Sequence, residues 1–183
     1  MLPVRVFGDL PSPDDPGLAE TFGRSDLVPV ASVGPDALLS LNDPRAQAAA
    51  IPGGGGVARA TDMALVYQRF LPDHDSPLPA NWRSDAIGTV RNISIGATDG
   101  VPANRTIAGQ VSGRDAYRDH RWMPQLPNVF GHAGAGGQLC WVDRDSGCSF
   151  SFLHDTLHAD PRADFVRCRA INAAAVTAIT SLD

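Results

Sequence analysis

Residues 129–153 read VFGHAGAGGQLCWVDRDSGCSFSFL, and the fold turns on them. Three runs rich in aromatic and β-branched side chains follow one another: Val129-Phe130, Gln138-Leu139-Cys140-Trp141-Val142, and Cys148-Ser149-Phe150-Ser151-Phe152-Leu153. Such composition suits a pleated, half-buried surface, so each run reads as a strand. Asp143-Arg144-Asp145-Ser146-Gly147 separates the last two runs, a turn ending in Gly that suits a hairpin. Residues 128–154 are therefore expected to form an antiparallel meander, with Cys148, Phe150 and Phe152 on one face of its last strand.

Downstream, Asp160-Pro161 supplies an N-cap and a first-turn proline. Phe165, Cys168, Ile171, Ala175 and Ile179 then recur at three-to-four spacing, which predicts a terminal helix over 161–180, roughly 30 Å long. Its apolar stripe needs a sheet to lie on. The fold class is α+β, an αβα sandwich in which helices flank an antiparallel sheet.

Upstream signals are sparser, because the 18 Gly and 15 Pro concentrate before residue 130. Residues 1–59 read as a loop-rich lead-in, with a turn-dense Pro11-Ser12-Pro13-Asp14-Asp15-Pro16-Gly17 and a glycine run at 53–56. Ala60, Ala64, Tyr67 and Leu71 predict a helix over 60–71, capped by Thr61 or Asp62 and closed by Pro72. Residues 72–127 read as loop-rich with short strands: Ile93 and Ile95 alternate with Asn92 and Ser94, and Asp99-Gly100 and Ser112-Gly113 mark turns. The whole of 1–183 reads as a single domain.

Composition removes several functions. The chain has 183 residues and a net charge of −5, which argues against a nucleic-acid partner. All 15 cations are Arg, so no Walker A lysine, Schiff-base lysine or serine–lysine pair can be built. The glycine run at 53–56 fits no phosphate-cradling motif, and no cofactor is expected. No apolar run is long enough for a membrane span, and the start at Met1 lacks a leader pattern, so the chain as written reads as cytoplasmic. Cys140, Cys148 and Cys168 are odd in number and not in CxxC spacing, which leaves three small buried hydrophobes as the expectation.

The chemistry-bearing candidate is Phe130-Gly131-His132-Ala133-Gly134-Ala135-Gly136-Gly137. Four glycines around one imidazole leave backbone N–H groups free to approach a ligand, an arrangement that can hold an oxyanion or a carbonyl. The residues alone also fit a glycine-rich strand turn carrying an incidental histidine. His154, Asp155, His158 and Asp160 include a histidine pair at i, i+4, but Asp160-Pro161 starts the helix after them, so they are expected in a loop and no metal site is expected. Asp145-Ser146-Gly147 fits a hairpin turn better than a nucleophile, and Trp82, Trp122 and Trp141 fit packing better than ligand stacking.

Three stretches carry a resemblance. FGHAGAGG at 130–137, QLCWVDRDSGCSFSFLHD at 138–155 and DPR at 160–162 resemble the C-terminal part of serine β-lactamase-like proteins, the superfamily of class C β-lactamases, penicillin-binding-protein-like enzymes and related esterases. LNDPRAQAAAIPGGGGVARATDMALVYQRFL at 41–71 is similar to an earlier segment of that family, in the same order. The resemblance implies the C-terminal part of the β-lactamase/transpeptidase-like fold. It places His132-Ala133-Gly134 at the family's K-T-G or H-x-G strand motif, with His132 as an auxiliary catalytic group and Ala133, Gly134, Ala135 and Gly136 lining the substrate. The Ala135 N–H takes the place of one half of the oxyanion hole.

The departures matter as much. The family's S-x-x-K nucleophile and Y-x-N motif are absent, and neither Tyr67 nor Tyr117 stands in a matching position. The expectation is one wall of an acyl-transfer site, for a small carbonyl substrate or analogue, without the serine that would be acylated. Either activity resides in a longer parent, or the chain is a non-catalytic binding protein derived from that fold. Sheet strands expected from the other end of such a domain are lacking, so the edge should associate with a second copy or with a complementary N-terminal segment.

Overall fold

A computed structural model describes residues 3–12, 14–22, 35–49, 51–95, 102–112 and 122–181. In chain order these form β1 (Arg5–Phe7), α1 (Pro16–Phe22), α2 (Pro35–Ser40), α3 (Pro44–Ala48), α4 (Ala60–Gln68), α5 (Ala80–Gly88), β2 (Gln110–Ser112), β3 (Val129–Gly134), β4 (Gln138–Asp143), β5 (Ser149–Phe152), β6 (Thr156–His158) and α6 (Pro161–Thr180).

The sheet is antiparallel in the order β2-β3-β4-β5. Its register puts Gly131 opposite Trp141 and His132 opposite Cys140. Gly131 has a steric reason: a Cβ there would come within 2.3 Å of the Cys140 carbonyl and 2.5 Å of the Trp141 Cβ. The missing side chain at 131 is what lets Trp141 close over the sheet. Both hairpin turns use left-handed backbone, Gly136 and Gly137 at φ +74° and +84° and Gly147 at φ +71°.

Strand alternation sorts the side chains onto two faces. On one, Phe130, Val142 and Val111 pack with Leu71 and Ile87, and the Tyr67 and Phe70 rings meet Phe130 with centroids 5.6 and 5.3 Å apart. On the other, Val129 and Trp141 pack with Met123 and Ala175, and Phe150 lies against Trp141 at 5.2 Å. Val129, Phe130, Leu139, Trp141 and Val142 have no exposed surface, and burying each such side chain contributes about 1.5–3 kcal/mol. Helices α4 and α5 on one face and α6 on the other thus cover an antiparallel sheet, an α+β architecture.

Local chemistry fixes α6. Asp160 Oδ1 accepts from the Arg162 backbone N–H at 2.9 Å, and Pro161 opens the first turn. Midway, Asn172 ties the helix to the sheet: its Oδ1 accepts from Trp141 Nε1 at 3.0 Å while its Nδ2 donates to the Trp122 carbonyl at 3.1 Å.

Several expectations need correction. The helix expected over 60–71 stops at Gln68, and Leu71 reaches the core from a turn after it. Its N-cap is Arg59 with no side-chain capping bond, so neither Thr61 nor Asp62 has that role. Residues 80–88 are helical where loop and short strands were expected, and the lead-in holds β1 and three short helices. Where strands were expected at 92–95 there are isolated bridges, Asn92 with Arg105 and Ile95 with Pro102, and Ile93 and Ile95 are exposed. Cys148 is half-buried, unlike Cys140 and Cys168. The Asp99-Gly100 turn, Gly113 and Tyr117 lie outside the described residues.

β1 pairs with β6 in parallel, in a separate two-stranded sheet. On its side away from β4, β5 has no strand neighbour among the described residues.

Candidate functional site

His132 stands near the end of β3, half-buried, on the face that α4 covers. Its two ring nitrogens are both engaged. A guanidinium can only donate, so Arg105 Nη1, 3.1 Å away, donates to Nε2, and Nδ1 carries the proton that the Ala133 carbonyl accepts at 2.5 Å. Burial holds the imidazole below its ordinary pKa; the bond to Ala133 opposes this and the Arg105 charge adds to it. At neutral pH the ring is therefore uncharged and in one tautomer.

Across the same face the register continues through Cys140 to Ser151, whose Sγ and Oγ lie 3.1 Å apart. Burial pushes the Cys140 thiol up, and Tyr67 on α4 is raised to about 12, first by burial and then by Cys140. None of these is an activated nucleophile: a thiolate needs a lowered pKa, and a serine needs a base with a free lone pair. The His132 lone pair is already occupied by Arg105.

The Gly134–Gly137 turn closes the end of β3. Gly134 and Ala135 are exposed, and the Ala135 N–H has no acceptor among the described residues. Behind it the turn is held firmly: Gly137 N–H donates to the Gly134 carbonyl at 3.1 Å, and Arg167 Nη2 donates to the Gly136 carbonyl at 2.7 Å. A Cβ on Gly136 would sit 2.1 Å from Leu157 Cδ2, so the turn rests directly on β6. The structure thus brings His132, Ala133, Gly134, Ala135 and Gly136 to one end of the sheet, with the Gly136 carbonyl turned inward to Arg167.

Of the other candidates His154 lies behind the turn, and the rest serve ion pairs, turns or packing. His154 receives a contact from Arg167 Nη2 at 3.3 Å, whereas Asp155 pairs with Arg5 at 2.9 Å and Asp160 pairs with Arg162. His158 packs over Gly8, where a Cβ would meet the ring at 2.9 Å. Among the described residues no three His, Cys, Asp or Glu side chains are placed to hold a metal. Ser146 donates to Asp143 Oδ2 at 2.6 Å from its Oγ and at 3.0 Å from its N–H, which makes it part of the hairpin turn. Trp141 is core, Trp122 meets Phe165 edge-on at 5.8 Å, and Trp82 is 67% exposed.

Two residues escaped the sequence reading. Arg105 reaches His132 across 27 positions and Arg167 reaches Gly136 across 31. No periodicity links such distant positions; the absence of lysine was a hint that arginines must supply any cation at a site, but not which ones. Comparison of the chain with protein-family models, curated proteins and solved structures found no match.

Proposed function

We propose that this chain is the C-terminal portion of a serine β-lactamase-like hydrolase acting on β-lactam, peptide or ester carbonyls, and that by itself it binds such a compound without turning it over. One observation carries the reading: at the end of β3, an imidazole fixed in a single tautomer stands beside exposed turn backbone, and no side chain on that face is activated for acylation. An exposed backbone N–H and a nearby guanidinium suit a carbonyl oxygen or carboxylate. Covalent chemistry needs a nucleophile from elsewhere.

Two further features support a portion over a self-sufficient binding module. The outer side of β5 lacks a strand partner among the described residues. On α4, Leu65 and Val66 face outward although Tyr67 already packs on the sheet, so the helix is apolar on more than one side. Exposed apolar side chains beside a packed face suit a further surface lying against that helix.

The test is to incubate the chain with a chromogenic cephalosporin and with p-nitrophenyl acetate, and to follow benzylpenicillin binding by backbone amide shifts. Colour release at the buffer rate, no acyl adduct by mass spectrometry, and shifts clustered at Arg105, His132 and Ala135 are expected. Stoichiometric acylation of a mapped serine would overturn the claim of incompetence. Absence of shifts at those residues would overturn the binding site itself.

A further inference from the structure

Behind the Gly134–Gly137 turn three elements converge on one guanidinium. From α6, Arg167 Nη2 donates its two hydrogens to the Gly136 carbonyl at 2.7 Å and to Asp164 Oδ1, and shares them with His154 Nε2 at 3.3 Å, while Nη1 lies 3.4 Å from the Thr156 carbonyl of β6. The next helix residue adds a weaker hold, Cys168 Sγ to the Gly137 carbonyl at 3.6 Å. Gln138, which opens β4, fastens the His154 backbone from both sides: its Nε2 donates to the His154 carbonyl at 3.0 Å and its Oε1 accepts the His154 N–H at 2.9 Å. The two side chains are half-buried and incompletely paired, since the shielded Arg167 Nε and His154 Nδ1 both lack partners.

We propose that Arg167 is the positioning residue of the β3–β4 turn: acting through the Gly136 carbonyl, it fixes the backbone that presents the Ala135 N–H, and it requires His154 to be neutral to do so. The significance of the turn rests on the acyl-transfer reading above; the clamp is measured separately from it. Arg167 can donate to His154 only while Nε2 keeps its lone pair. Protonating the ring removes that acceptor and sets a second cation against the guanidinium.

The groups facing His154 are few. Arg167 comes from α6 with Asp164 behind it, the Phe152 ring lies 5.1 Å away from β5, and the Gly136, Gly137 and Thr156 carbonyls face the ring without satisfying Nδ1 in hydrogen-bonding geometry. His158, Asp160 and Cys168 act on the same cluster through Asp164. Burial, followed by the Arg167 charge, holds His154 below its ordinary value, so the neutral ring is the resident form at pH 7.

The experiment compares wild type, Arg167→Met, Arg167→Lys and His154→Gln by amide hydrogen exchange across pH 5 to 8, corrected for intrinsic rates, with benzylpenicillin as the binding probe. Arg167→Met is expected to speed exchange of the Gly137 amide, the hydrogen-bonded N–H of the turn, about tenfold or more while the Phe130 and Trp141 amides keep their protection. Arg167→Lys, which keeps one charged donor, should fall between. In wild type, protection of the Gly137 amide should drop as pH falls through the folded His154 value, which burial and the Arg167 charge set below the free-imidazole value, and His154→Gln, which leaves Asp164 in place, should abolish that dependence.

Unchanged turn exchange in Arg167→Met, uniform loss of protection across β3 and β4, or a pH profile that survives His154→Gln would each overturn the proposal. Should Arg167→Met fail to fold, the lysine variant and the wild-type pH profile decide the matter. If wild type does not bind benzylpenicillin, the acyl-transfer reading fails, and exchange of the Gly137 amide still decides the clamp.

Discussion

His132 shows how a titratable group can be fixed without being charged. Arg105 occupies one nitrogen and the Ala133 carbonyl the other, and burial depresses the pKa. The folded value thus lies below the unfolded one, near 6.5, so the stabilisation is complete above that pH and is lost as pH falls through the folded value. Following the ring protons by NMR should give a midpoint below 6.5, and His132→Gln should flatten the acid side of a melting-temperature curve. A midpoint at or above the free-imidazole value would contradict the neutral, burial-depressed ring. His154 is depressed in the same direction, chiefly by burial, so its own titration has to be resolved before the acid loss of stability is divided between them.

Among the elements, the junction of α6 with β4 depends on one amide. Asn172 is 4% exposed and serves the Trp141 indole and the Trp122 carbonyl together. Asn172→Leu leaves a buried N–H without an acceptor, at about 1–3 kcal/mol, and is expected to lower the urea midpoint with little change in slope; a midpoint equal to wild type would show that water or a neighbour replaces the amide. This junction also marks how far the sequence could be read. The meander and α6 were legible because Phe130, Trp141, Val142, Phe150 and the Asp160-Pro161 start carry their own local signals, period, turn and cap. α5 was not: Ile87 is its only buried residue, so nothing in Ala80–Gly88 recurs strongly enough to announce a helix. The candidate site divides in the same way. His132 and its glycines stand together in the chain, whereas Arg105 and Arg167 reach them only after β3 has paired and α6 has docked.

For the molecule as a whole, the unsettled boundary is the outer side of β5. A sheet edge of half-buried Ser149, Phe150, Ser151 and Phe152 carries neither lysine nor proline, the residues that commonly blunt such edges. Strand addition by a second copy would satisfy the free backbone groups along it. Exposed apolar side chains on α4, which packs against β5, add to this: Leu65 and Val66 make association more favourable than for an ordinary surface. Sedimentation equilibrium should therefore show mass rising with concentration, and hydrogen exchange should show β5 amides gaining protection over the same range while β3 amides, paired on both sides, do not change. A monodisperse monomer whose β5 amides are as protected as those of β3 at every concentration would mean that the edge is already closed within one chain. The reading of this chain as one portion of a larger sheet would then lose its structural support, because a closed edge leaves no place for further strands.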